Sequence, residues 1–195
     1  MINGISSLVQ GAHSRVAVAR VTGLHALGGV LGGALMAGLC WLALTPVRTI
    51  LPTVVGVGVI VVVAILAALA DLRVVSLQRQ NRQVPQRWFK VYGIERAYAM
   101  YGLWLGAGLA TNVSFAVEYV VFIGAAVLLP LAPALVAGAI FGLIRTGAVG
   151  PIGVLPELAS TWTGIFRVRG NQLPVLSAVG AAALAAAMVV VYVVN

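Results

Sequence analysis

Long apolar runs alternate with short polar segments along this chain, and charged residues mark the boundaries between them. The runs 21–47, 49–70 and 170–195 carry no charge, and the stretch 97–144 contains Glu118 as its one charged residue. A helix needs about 20 apolar residues to cross a bilayer. The first, second and last runs therefore each hold one crossing and the long stretch holds two, which predicts five spans.

The pattern predicts an all-α fold, a polytopic transmembrane helical bundle that forms a single integral membrane domain over 1–195. Backbone amides in lipid must be satisfied within their own segment, and the alternating pattern of a barrel strand is absent from this sequence. Thr45 and Pro46 are expected to end the first helix. The predicted spans are 21–44, 52–71, 97–119, 123–145 and 174–194, with a basic cytoplasmic loop at 72–96 and a second cytoplasmic loop at 146–173.

Composition excludes a soluble domain. Hydrophobic residues make up 62% of the chain and charged residues 8%, whereas about 25% is charged in an average soluble protein. With five spans, Arg48 is the one basic residue of the 12 that falls on the outer side. This asymmetry follows the positive-inside rule, which predicts a cytoplasmic amino terminus and an outer carboxyl terminus. It also accounts for the net charge of +8 without nucleic acid.

Segment 73–96 separates the two apolar blocks and mixes cations with aromatic rings. Such a mixture suits the headgroup layer, where rings lie at the boundary and cations meet anionic lipid. The bilayer and its anionic headgroups are therefore the expected partners, and a docking surface for a membrane protein partner or a second copy is the alternative. The candidate interface residues are Arg79, Arg82, Arg87, Trp88 and Lys90.

The third predicted span is the most polar of the five. Thr111, Ser114 and Glu118 follow one another at i, i+3 and i+7, which places them on one face of a helix. An acidic residue inside a bundle is costly and is a functional candidate, so this face is a candidate transport face. If the outer turn falls at 118–122 instead, Glu118 lies at the outer surface.

Glycines recur in the first and third spans with the spacing that lets helices approach closely in lipid. Gly28 and Gly32 in the first span correspond to Gly102 and Gly106, 74 residues later, while Pro52 corresponds to Pro130, 78 residues later. Two helices per unit would give a parallel two-helix repeat, an architecture found in transporters. Chance recurrence of common motifs is the alternative.

Residues 82–119 contain a recognisable series: Arg82-Gln-Val-Pro85, then Tyr101-Gly-x-x-Leu-Gly-x-Gly-x-x-Thr111, then Tyr119. This series resembles small polytopic bacterial membrane proteins related to the CcdA/DsbD-type thiol-electron carriers and the LysE-like exporters. The resemblance implies a compact, transporter-like bundle in the bacterial cytoplasmic membrane and no catalytic residue. The electron carriers need a pair of membrane cysteines, and this chain has Cys40 alone, so the redox function is not implied.

No residue set in the sequence predicts an enzyme, a cofactor or a metal site. His13 and His25 lie twelve residues apart in a chain with four acidic residues, and we interpret His25 as an interfacial or helix-packing residue. Two functions remain. The first is a transporter or exporter that moves a small solute or ion through the bundle, with Glu118 as proton or cation partner. The second is a non-catalytic accessory subunit of a larger membrane complex.

Overall fold

The computed structural model describes residues 15–50, 52–72, 87–108 and 117–147, together with six helical positions between 179 and 190. This part of the chain is almost entirely helical and contains no strand, which confirms the predicted all-α class for it. Most of the predicted last span, 174–194, lies outside the described residues. The helices are α1 (Arg15–Ile50), α2 (Thr53–Asp71), α3 (Arg87–Gly106), α4 (Val117–Leu128) and α5 (Leu131–Gly147).

The described helices divide into two compact units, and α1 and α5 contribute to both of them. The first unit takes residues 15–33 of α1, the whole of α3 and residues 139–147 of α5. The second unit takes the rest of α1, all of α2 and α4, and the start of α5.

Helix α1 continues through Pro46 to Ile50, so the prediction that Thr45 and Pro46 end the first helix is wrong. Proline removes one backbone donor from the helix. Two threonine hydroxyls beside it donate to nearby carbonyls: Thr45 to Trp41 and Thr49 to Pro46, each at 2.8 Å. Threonine hydroxyls therefore supply additional hydrogen bonds to backbone carbonyls around Pro46.

Helix α3 differs from the predicted third span at both ends. It begins at Arg87, inside the predicted loop 72–96, and bends at Gly93, where φ is 75° and ψ is 167°. That backbone region is essentially restricted to glycine. The helix ends at Gly106, and the positive φ of 73° at Gly108 is typical of a glycine just beyond a helix terminus. A single helix over 97–119 is therefore not formed.

Pro130 separates α4 from α5 and lies within the predicted fourth span, 123–145. The backbone is non-helical at Leu129 and Pro130, and α5 begins at Leu131. Proline at this point cannot donate to the preceding turn, so the helix on its amino-terminal side stops. By contrast, α2 covers the residues of the second predicted span to within one position.

The second unit is held by an apolar contact between α2 and α4. Gly56 near the start of α2 faces Val127 near the end of α4. Since the same contact extends to the far end of α2 and the start of α4, the two helices run in opposite directions. The buried cluster consists of Ile60, Ala64, Ala67, Ala70, Val120 and Leu128.

The first unit is held by backbone contacts at glycines, which we call the glycine junction (Gly28, Gly29, Gly32, Gly102, Gly106 and Gly142). A Cβ atom added at Gly28 would overlap the carbonyl oxygen of Ala99, and one at Gly32 would overlap that of Leu103. Helices α1 and α3 are thus in backbone-to-backbone contact, a geometry in which glycine Cα–H groups meet carbonyl oxygens. Only glycine permits this approach.

The same contact is repeated in the opposite direction, from α3 onto α1. A Cβ atom added at Gly102 would overlap the carbonyl oxygen of His25, and one at Gly106 would overlap that of Gly29. The second pair of contacts follows from the first pair when residues of α1 are shifted forward by 74 positions and residues of α3 are shifted back by 74. The helix that contributes the glycine and the helix that contributes the carbonyl oxygen are then exchanged. The contact between α1 and α3 is therefore two-fold symmetric in its residue pairing, and the two helices are parallel.

On α1, small residues lie on the packing face and large apolar residues lie on the opposite face. On α1 the buried face carries Gly28, Gly29, Gly32 and Ala37. The opposite face exposes leucine at nearly every turn, with between 50% and 62% of each side chain accessible. These residues are Leu27, Leu31, Leu35, Leu39 and Leu42.

We predict that Gly32→Ala destabilises the protein by about 1–3 kcal/mol, because the new methyl group overlaps the backbone of α3. Gly23→Ala is the matched control, since a Cβ atom there has open space and alanine favours a helix over glycine by about 1 kcal/mol. Unfolding in detergent measures both. Equal stabilities for the two variants would contradict the close contact.

Candidate functional site

Three polar side chains are buried in the described part of the chain: His25, Glu118 and Thr146. His25 and Thr146 belong to the first unit, and Glu118 belongs to the second. Buried polar groups inside an apolar protein are costly, so each needs a structural or functional explanation.

Glu118 lies in the first turn of α4 and is 3% exposed. An acidic side chain at this end of a helix interacts favourably with the helix dipole. Thr111 and Ser114, its predicted companions, fall outside the described residues. Because α4 begins at Val117, Glu118 belongs to a different helix from the one predicted, and the candidate transport face stays a prediction.

The carboxyl end of α4 is capped by side chains from α1. Arg48 donates to the carbonyl of Ala126 at 3.1 Å and to that of Leu129 at 2.8 Å. The Trp41 indole N–H also donates to Leu129, at 3.1 Å, and the guanidinium lies 5.2 Å from the centre of the indole ring. Hydrogen bonds from a charged donor are stronger than neutral ones.

Two prolines explain why these carbonyls need side-chain donors. In a continuous helix, Ala126 would accept from residue 130 and Leu129 from residue 133, and both positions are proline, which has no N–H. Arg48 supplies a donor to each orphaned carbonyl. Arg48, which the sequence predicts to lie on the outer side, thus has a structural role. Its position in the sequence alone does not indicate that role.

His25 lies on α1 against α3 and is 2% exposed. Its Nδ1 is 3.1 Å from the backbone carbonyl of Tyr98. The ring of Tyr101 stacks on the imidazole with centroids 5.1 Å apart and an angle of 28°, and the ring of Tyr98 meets it edge-on at 6.1 Å. The imidazole is held by one hydrogen bond and two rings.

Thr146 reaches the glycine junction from α5. Its hydroxyl donates to the carbonyl of Gly142, one turn earlier, at 2.7 Å. Gly29 packs against the Thr146 side chain, and Gly142 packs against the Gly29 carbonyl. Since Thr146 satisfies its own donor within α5, its burial is explained by close helix packing.

The predicted interface residues are only partly described. Arg79 and Arg82 lie outside the described residues, and for Arg87 the backbone alone is described. Lys90 is exposed, whereas Trp88 is half-buried with its ring 6.1 Å from that of Trp104.

By length and composition, the segment Val16–Ile50 is the one described helix that can cross a membrane, a criterion that signal sequences also meet. Three described helices are apolar but shorter, at 54–70, 118–128 and 131–147. No three His, Cys, Asp or Glu side chains come together as metal ligands within the described ranges.

Comparison with protein-family models, curated proteins and solved structures found no match for this chain. The resemblance of residues 82–119 to the CcdA/DsbD-type and LysE-like membrane proteins therefore stays a prediction.

We predict that Arg48→Met lowers the free energy of unfolding by about 1.5–3 kcal/mol, because two buried carbonyls lose a charged donor. In a Pro130→Ala, Pro133→Ala background, backbone N–H groups become available to both carbonyls. The effect of Arg48→Met should then be smaller, with a coupling free energy of about 1–3 kcal/mol in a mutant cycle.

The control is Arg20→Met, which breaks an exposed 3.3 Å ion pair with Glu95 and should change stability by less than about 1 kcal/mol. Strict additivity between Arg48→Met and the proline substitutions would contradict the proposed capping role.

Proposed function

We propose that the protein is an integral membrane protein with five spans, residing in the bacterial cytoplasmic membrane with its amino terminus inside and its carboxyl terminus outside. The described helices expose many leucine, valine and isoleucine side chains, whereas glycine and alanine make up much of their buried faces. In water this distribution would be unfavourable, since contiguous exposed apolar faces drive association. In lipid it is the expected one, because helices there associate through small residues.

The position of Arg48 supports an outer turn at Leu129 and Pro130. Arg48 lies on the outer side under the positive-inside rule, and its side chain contacts the Leu129 carbonyl directly. Helix α4 would then end at this outer turn, and its first residues would lie deeper in the membrane. With a rise of 1.5 Å per residue, Glu118 lies about 15 Å from Leu128 along the helix, close to the middle of a hydrocarbon core about 30 Å thick.

An internal duplication of two helices is the arrangement that the glycine contacts favour. The pairs Gly28 with Ala99 and Gly102 with His25 correspond under a shift of 74 residues, as do the pairs one turn later. Pro52 and Pro130 likewise precede α2 and α5. Parallel first helices imply a two-fold axis along the membrane normal, as in transporters built from parallel repeats.

On this architecture we propose that the protein moves a small solute or ion through the helical bundle. The observation that carries the proposal is the buried Glu118 at the start of α4, a helix of 12 residues and therefore too short to cross a bilayer alone. Short helices that start near mid-membrane, with ionisable groups at their ends, are typical of transport sites.

The glycine junction limits where a path can run. Helices α1 and α3 contact through their backbones at Gly28, Gly32, Gly102 and Gly106, which leaves no space for a solute between them. We therefore assign a structural role to the symmetric contact in the first unit. The proposed transport role belongs to the second unit, where Glu118 lies.

The proton is the simplest ion with which to test the proposal. In pyranine-loaded liposomes with the membrane potential clamped by K⁺ and valinomycin, the purified protein should dissipate an imposed pH gradient faster than protein-free liposomes. We predict that Glu118→Gln reduces this rate at least about tenfold, because the amide cannot carry the proton charge.

Glu95→Gln is the matched control, since Glu95 is exposed and forms a surface ion pair; it should behave like the wild type. If Glu118→Gln matches the wild-type rate while folding normally, Glu118 is not the proton partner.

A second function, that of an accessory subunit, is favoured by the start of α3. Lys90, Val91, Tyr92 and Ile94 are all exposed around the bend at Gly93. Such a surface fits the headgroup layer or a membrane protein partner. Extraction in a mild detergent followed by sizing distinguishes the two functions: a stable complex with other proteins favours the subunit, and an isolated or self-associated 20.1 kDa chain favours the transporter.

A further inference from the structure

The imidazole of His25 is held in one tautomer. A carbonyl oxygen can only accept a hydrogen bond, so the contact of Nδ1 with the Tyr98 carbonyl requires the hydrogen to be on Nδ1. In the neutral ring, Nε2 then carries the lone pair. Nε2 is buried and has no hydrogen-bond partner among the described residues.

Packing alone does not explain a histidine at this position. His25 corresponds to Ala99 under the 74-residue shift that relates the two sides of the glycine junction. The helix backbones approach each other equally closely at His25 and at Ala99, although the side chain of Ala99 is only a methyl group. The imidazole therefore adds a hydrogen-bonding group to a contact that does not need one. An unsatisfied buried acceptor costs about 1–3 kcal/mol.

The surroundings define which ligand this acceptor suits. Tyr101 covers one face of the ring and Tyr98 meets it edge-on. A hydrogen-bond donor would therefore approach the Nε2 lone pair in the plane of the ring. Arg145 of α5 interacts electrostatically with Tyr101, and its positive charge disfavours a cationic ligand. A neutral donor is the ligand these groups favour.

We propose that His25 is a second polar site, at which Nε2 accepts a hydrogen bond from a small neutral molecule bearing a hydroxyl group, with water as the smallest member of this class. The site lies in the first unit and is separate from the transport role that we propose for the second unit. It does not depend on Glu118 or on proton movement.

Nitrogen-15 NMR of the histidine ring tests this site without altering it. The chain has two histidines, and His13→Ala leaves His25 as the single labelled imidazole in a lipid nanodisc. Water and methanol are the probes. The expected spectrum shows hydrogen on Nδ1, an unprotonated Nε2 whose signal is shifted by an accepted hydrogen bond, and magnetisation transfer to Nε2 from hydroxyl protons.

Transfer from methanol supports a site open to small solutes, and transfer from water alone supports the same acceptor with water as its ligand. A ring carrying hydrogen on Nε2 would overturn the proposal, as would an unprotonated Nε2 that receives no transfer from either probe. Either result leaves the flux test of Glu118 unaffected, because the spectrum reports on the ring and not on transport.

Discussion

The first unit depends on one physical interaction, the direct contact of helix backbones at glycine. In the proposed membrane location, lipid removes the hydrophobic drive that holds helices together in water, so dispersion and weak polar contacts at short range replace it. At Gly32 and Gly106 the carbonyl of the neighbouring helix lies where a side chain would begin. The position of His25 and the burial of Thr146 both follow from this approach. Larger residues at these sites would move the helices apart.

The second unit depends on a different constraint, the satisfaction of carbonyls at a helix end. Pro130 and Pro133 create the turn between α4 and α5, and they also remove the donors that Ala126 and Leu129 would have used. An unsatisfied carbonyl in lipid costs several kcal/mol. Nη1 of Arg48 carries two N–H groups, so this one nitrogen can bond to both carbonyls at once.

Much of the local structure could be predicted from the sequence, because charge boundaries and glycine spacing are local signals. The all-helical class, the extent of α2 and the importance of Gly28, Gly32, Gly102 and Gly106 follow from such patterns. The bend at Gly93 could not be distinguished from a loop glycine, since its unusual backbone angles have no sequence signature. Pro46 was expected to end a helix because proline lacks the backbone donor that a continuing helix uses, yet α1 continues to Ile50.

The candidate sites were less predictable, because their chemistry depends on contacts between distant segments. Glu118 was recognisable as a lone acid in an apolar run, but the helix to which it belongs depends on the break after Gly106. His25 resembled a packing residue, and its hydrogen bond with Tyr98 spans 73 positions. Arg48 was interpreted through its charge alone. The hydrogen bonds of Arg48 with carbonyls 78 and 81 positions away in the chain are a tertiary feature.

The central claim, that leucine and valine faces of this chain contact lipid, is tested most directly by spin-label accessibility. In a Cys40→Ala background, labels at Val62 of α2 and Ile140 of α5 sit on sites that are 55% and 52% exposed, while a label at Lys90 provides an aqueous reference. The protein is reconstituted in liposomes. Labels at Val62 and Ile140 should collide freely with molecular oxygen, which concentrates in lipid, and rarely with a water-soluble nickel chelate. Nickel collisions as frequent as those at Lys90 would show that these faces contact water and would contradict the membrane placement.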